Sequence, residues 1–133
     1  MSARAFFDTN VLLYLVTDTA RADQVTALLS EGGVISVQVL NEFANVARRK
    51  YAAPWDRLAE VLAVLRATLD VRPLDLPTHL LGIELAERYG YSVYDSLLLA
   101  AARLAGCETI WSEDMQHGQR IDEALTIRNP FAP

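Results

Sequence analysis

Four acids of this sequence stand where acids are costly. Asp8 directly follows Ala5-Phe6-Phe7, at the carboxyl end of a predicted buried strand. Glu42 sits on the apolar stripe of a predicted helix, three residues after Val39 and four before Val46. Asp95 opens the most hydrophobic helix of the chain, just ahead of Leu97-Leu98-Leu99-Ala100-Ala101-Ala102. Asp114 comes just past the strand containing Thr109-Ile110-Trp111, with Glu113 beside it as an alternative. Each has an ordinary explanation. Asp8 suits a helix N-cap, and Ser92-Val93-Tyr94-Asp95 has the spacing of a capping box. Glu42 can reach solvent from the edge of its stripe, and Asp114 can be a polar loop residue.

Taken together they suggest different chemistry. In open α/β sheets, ligands collect at the carboxyl ends of strands. Four carboxylates converging in a partly buried crevice raise one another's pKa values, and a divalent cation resolves that conflict. With only oxygen donors on offer, hard ions such as Mg²⁺ or Mn²⁺ fit better than zinc.

The elements that must position these acids alternate between strand and helix, the pattern of an α/β domain with a mainly parallel sheet. Strands are predicted at Ala3–Phe7, Val34–Ile35, Val71–Leu74, Glu108–Trp111 and Leu125–Arg128, the last short and at an edge. Helices are predicted from Asp8-Thr9-Asn10 to about Val16, over about Ala20–Ser30, from Ser36 to about Lys50, and from Pro54 to about Leu69. Two more run from Pro77 to Gly90 and from Ser92 to Gly106. Gly32-Gly33 stops the second helix.

Composition narrows the class. With 133 residues, 52% hydrophobic and 22% charged, the chain has the make-up of one globular domain spanning residues 1–133. Its longest apolar runs, Val11–Val16 and Leu97–Ala102, fall well short of the roughly 20 residues that cross a bilayer. Asp8 and Asn10 interrupt the N-terminal apolar stretch, so a secretory signal is not expected and the cytoplasm is the expected location. One cysteine, Cys107, excludes an internal disulfide and a cysteine-based zinc cage. The net charge of −5 argues mildly against nucleic acid. However, two bound divalent cations would nearly cancel it, and all basic residues except Lys50 are arginines, which fork well onto phosphate.

The motifs Phe7-Asp8-Thr9-Asn10, Ser36-Val37-Gln38-Val39-Leu40-Asn41-Glu42, Tyr94-Asp95-Ser96 and Ser112-Glu113-Asp114 resemble, in order and spacing, those of the PIN-domain family, and among its members the small VapC-type toxins. The resemblance implies a three-layer α/β/α fold with a central five-stranded, mainly parallel sheet. It implies that Asp8, Glu42, Asp95 and Asp114 are the catalytic, metal-holding acids, with Thr9 and Ser112 as supporting hydroxyls. The implied activity is Mg²⁺- or Mn²⁺-dependent endonucleolytic cleavage of RNA, by the toxin of a toxin–antitoxin pair. A cognate antitoxin is the implied protein partner, and a homodimer the implied assembly.

Other residues carry weaker signals. Arg48-Arg49-Lys50 could contact RNA phosphates, although positive charge at a helix C-terminus is favoured by the dipole alone. His79 and His117 lack a metal-ligand partner at helical spacing, and Cys107 reads as core. Tyr89, Tyr91 and Tyr94 suit packing better than base stacking. A phosphatase with an aspartyl nucleophile would need a second Asp two residues after Asp8, where this chain has Asn10. The rival from another class is a non-catalytic interaction module whose acids are caps and surface charges.

Overall fold

A computed structural model describes residues 4–17 and 19–133. Ala3, expected to begin the first strand, lies outside them. The strands are β1 (Ala5–Phe7), β2 (Val34–Ser36), β3 (Asp70–Arg72), β4 (Thr109–Trp111), β5 (Arg120–Ile121) and β6 (Leu125–Arg128). The helices are α1 (Thr9–Leu12), α2 (Thr19–Leu29), α3 (Val37–Arg49), α4 (Trp55–Thr68), α5 (Leu76–Tyr89) and α6 (Val93–Leu104), with a 3₁₀ turn over Leu13–Val16. The helix expected to run from Asp8 to about Val16 is thus split, its second half tightening to 3₁₀ geometry.

The sheet order is β3-β2-β1-β4-β6-β5. Five strands run parallel, as expected, and β5 pairs antiparallel with β6. The expected five-stranded sheet therefore has six strands, and Leu125–Arg128 lies between two neighbours rather than at an edge. The turn from β5 to β6 requires left-handed backbone at Asp122 (φ 50°) and Glu123 (φ 57°). Glycine or asparagine is the usual sequence signal for such a turn, and neither is present. The third strand also ends earlier than expected, at Arg72, because Pro73 has no N–H for the ladder.

Right-handed crossovers place the connections β1→β2 and β2→β3 on one face, and the return connection to β4 on the other. Contacts agree. On the first face α3 touches α1, α4 and the 3₁₀ turn; on the second, α6 packs on β2 and β4 with α5 beside it. Strand residues Phe6, Phe7, Val34, Ile35, Ile110 and Ile127 are fully buried between these layers. The apolar run of α6 is buried along its whole length because that helix is covered by the sheet on one side and α5 on the other.

The edge of the core depends on one close approach. Gly33 adopts φ +151°, and a Cβ there would stand 2.8 Å from the Ala5 carbonyl oxygen and 2.7 Å from Phe7 Cε2. Gly32 is also left-handed, at φ +78°, but a Cβ there meets nothing within 4 Å. In urea unfolding, Gly32→Ala is expected to cost about 1–2 kcal/mol, the backbone effect alone. Gly33→Ala adds a clash with backbone and is expected to cost about 2–4 kcal/mol. Equal losses would contradict this packing.

Candidate active site

β1 and β4 lie side by side, yet the chain leaves β1 towards β2 and leaves β4 towards β6, on opposite sides. Their carboxyl ends flank a topological switch point, the place where open α/β sheets collect ligands. Asp8 follows β1 and Ser112-Glu113-Asp114 follows β4. The Asp8 N–H donates to the Trp111 carbonyl at 2.9 Å, which holds Asp8 on the last rung between the two strands.

Asp8 has the backbone of an N-cap, but its side chain makes no capping hydrogen bond. Its Oδ2 instead accepts from Ser112 Oγ at 2.8 Å and Asn10 Nδ2 at 3.3 Å. Only 4% of Asp8 is exposed. Burial pushes its carboxyl up to about 7, and the negative charges of Asp95 and Glu42 push the same way against the Ser112 hydroxyl and the Thr9 backbone. Asp95 is half-buried and also raised, first by burial and then by Asp114 and Glu42. Ser92 caps α6 by accepting from the Asp95 N–H at 3.1 Å, as the capping spacing predicted.

Glu42 is half-buried on α3. Its Oε2 accepts from Thr9 Oγ1 at 2.9 Å and its Oε1 from Gln38 Nε2 at 2.8 Å. Thr9 and Ser112, the two hydroxyls singled out in the sequence, are both buried and each donates to one of the acids. Asp114 is exposed at the rim and reaches the group through its repulsion with Asp95. Asp8, Glu42 and Asp95 therefore share one electrostatic neighbourhood, with Asp114 at its border. Among the described residues, no three His, Cys, Asp or Glu side chains are drawn together tightly enough to form a ready metal cage. These two observations differ in range: Coulomb coupling acts across a crevice, whereas a cage needs oxygens within ligating distance.

Glu113, the alternative to Asp114, is engaged elsewhere. Tyr14 donates to its Oε1 at 2.6 Å and Arg21 to its Oε2 at 3.2 Å. The Arg21 guanidinium also lies 4.6 Å from the ring centre of Phe131. Sequence reading missed this cluster because its members come from three distant segments. It also missed Gln38, although the i, i+4 spacing to Glu42 was an available signal.

The residues set aside stay outside the site. Arg48 stacks on Trp55 at 4.3 Å and donates to the Ala53 carbonyl at 2.8 Å. His117 accepts from the Asn129 N–H, while His79 is exposed. Burial pushes the Cys107 thiol up to about 11, which suits core rather than nucleophile. Tyr89 and Tyr91 bond Asp122 and Gln119, whereas Tyr94 is exposed beside Asp95. A cleft of about 600 Å³ includes Arg4, Glu31 and Gly33 in its lining and none of the four acids. Among the described residues, no helix is long and apolar enough to cross a membrane.

No functionally curated protein matches the chain. Solved structures do. A toxin–antitoxin complex from Klebsiella pneumoniae is similar at 20% identity and a TM-score of 0.73, over 96% of this chain and 98% of that one. VapC20 of Mycobacterium tuberculosis, a toxin that cleaves the sarcin–ricin loop, is similar at 21% identity and a TM-score of 0.66, over 83% and 89%. The DNA-bound VapBC of Salmonella typhimurium is similar at 18% identity and a TM-score of 0.68, over 97% and 99%. At these identities the likeness is one of fold. The family model for the PIN domain matches residues 5–122, nearly the whole chain. The chain belongs to the PIN-domain family.

Proposed function

We propose that this chain is a metal-dependent endoribonuclease that hydrolyses RNA phosphodiester bonds, acting from a single domain over residues 1–133. The carrying observation is the Asp8 carboxyl, 4% exposed and held up near 7 beside Asp95 and Glu42 at the β1/β4 switch point. A structural acid of that kind destabilises its own fold, so its placement favours a ligand that rewards the charge. The donor set consists of carboxylate and hydroxyl oxygens, which fits Mg²⁺ or Mn²⁺.

Asp8, Asp95 and Asp114 would hold the cation directly or through water, and Glu42 would bind a second one or orient the attacking water. When bound, such a cation eases deprotonation of water and neutralises charge on the phosphate. Ser112 fixes the Asp8 carboxylate, and Thr9 fixes that of Glu42. No side chain needs to act as nucleophile. Structural relatives from toxin–antitoxin complexes support the further reading that the chain is the toxin of such a pair, with a cognate antitoxin as partner. A homodimer in the cytoplasm completes the proposal. The rival, a non-catalytic interaction module, draws its support from the lack of a ready metal cage among the described residues.

Asp8→Asn and Asp95→Asn are each expected to lower RNA cleavage by more than about a hundredfold, beyond the loss typical of changes behind the ligands, while circular dichroism stays native. Cleavage at the wild-type rate by either variant would remove that residue from the mechanism.

Stability carries a second signature. In the folded chain Asp8 holds its proton up to about 7, against 3.8 for an ordinary Asp. Between those values the folded state binds the extra proton, so the contribution of Asp8 to stability is fully present below about 4 and is lost as pH rises through 7. In EDTA at pH 8, Asp8→Asn should be more stable than the wild type by a few kcal/mol on the order of this linkage. The two should converge near pH 4. Millimolar Mn²⁺ should raise the wild-type melting temperature and leave Asp8→Asn nearly unmoved. No Mn²⁺ response in the wild type would favour the interaction module.

A further inference from the structure

Gln38 is the second residue of α3 and only 6% exposed. Its Nε2 donates to Glu42 Oε1 at 2.8 Å and to the Tyr94 carbonyl at 3.1 Å. Tyr94 is the residue before Asp95 in the first turn of α6. Glu42 Oε2 accepts from Thr9, the residue after Asp8. One hydrogen-bonded line therefore passes from the end of β1 through Thr9, Glu42 and Gln38 to the start of α6, next to three of the four acids.

The amide orientation follows from its partners. Both groups facing Nε2 are acceptors, so turning the amide over would set oxygen against oxygen twice. That orientation leaves Gln38 Oε1 buried with no partner among the described residues. A buried acceptor without a donor is a net cost to folding, which Met or Leu of similar size would avoid. Packing alone does not account for glutamine here.

We propose that Gln38 is a positioning residue of the acid cluster, fixing the Glu42 carboxylate and its spacing from Asp95 for the cation. This rests on the nuclease reading above and adds to it a residue that contacts neither cation nor RNA. Removing the amide donors frees Glu42 to rotate towards solvent and releases the first turn of α6 from α3. The effect then runs through Glu42, and it is larger on turnover than on RNA affinity.

The test combines Gln38→Met with Glu42→Gln and the double variant, in the full chain. Mn²⁺ binding is followed by calorimetry, cleavage by kcat and KM, and folding by urea. Gln38→Met should weaken Mn²⁺ binding about ten- to a hundredfold and lower kcat by a similar factor with KM nearly unchanged, as for groups that orient metal ligands. Its unfolding midpoint should lie close to that of the wild type, the loss of two hydrogen bonds being offset by relief of the unpartnered Oε1. In the Glu42→Gln background the same change should add little, because the two act as one unit. Unaltered Mn²⁺ affinity and kcat, or an equal further loss in the Glu42→Gln background, would overturn the proposal while wild-type activity kept the nuclease reading intact. Failure of both Gln38→Met and Gln38→Leu to fold would make Gln38 structural and overturn it too. A wild-type chain that neither binds Mn²⁺ nor cleaves RNA would remove both readings.

Discussion

The burial of the Asp8 carboxyl at the end of β1 is the constraint around which the site is arranged. A carboxylate removed from water loses its hydration, and two further acids nearby add repulsion. Among the described residues the fold answers with neutral donors: the Ser112 hydroxyl and the Asn10 amide on Asp8, and Thr9 and Gln38 on Glu42. Arg21 donates to Glu113 and Tyr14. Dipoles steady the acids without neutralising them, which leaves the charge available to a cation.

The sheet order makes this concentration of charge possible. Parallel strands send every loop that follows a strand to the same edge, and the reversal between β1 and β4 puts a topological switch point there. α3 and α6 then approach from opposite faces, bringing Glu42 and Asp95 to a site whose floor is made by Asp8 and Ser112. The Gln38 amide crosses between the two helices, so the layers are linked by a polar bond as well as by packing.

Much of this was legible in the sequence because it violates local rules. An aspartate after two phenylalanines, a glutamate on an apolar stripe and an aspartate ahead of a leucine–alanine run are each costly choices. Helix limits followed from Gly32, Pro54, Gly90 and Ser92, whose chemistry is local. What escaped notice was non-local or lacked its customary residue. The β5–β6 turn is made by Asp122 and Glu123 in left-handed conformation, so the sixth strand carried no turn signal. Gln38 entered the sequence reading only as one residue of the Ser36–Glu42 motif, and its bonds to Glu42 and to the Tyr94 carbonyl are visible only in the fold. The bonds of Glu113 to Tyr14 and Arg21 were equally hidden, since those residues are roughly a hundred positions away in the chain.

The central claim is that these acids form one cation site. It is tested most directly by a crystal grown in millimolar Mn²⁺ and measured at the manganese absorption edge. The account predicts an anomalous peak in the β1/β4 crevice, bounded by carboxylate oxygens of Asp8 and Asp95. Ordered manganese elsewhere on the molecule, with this crevice holding none, would contradict it.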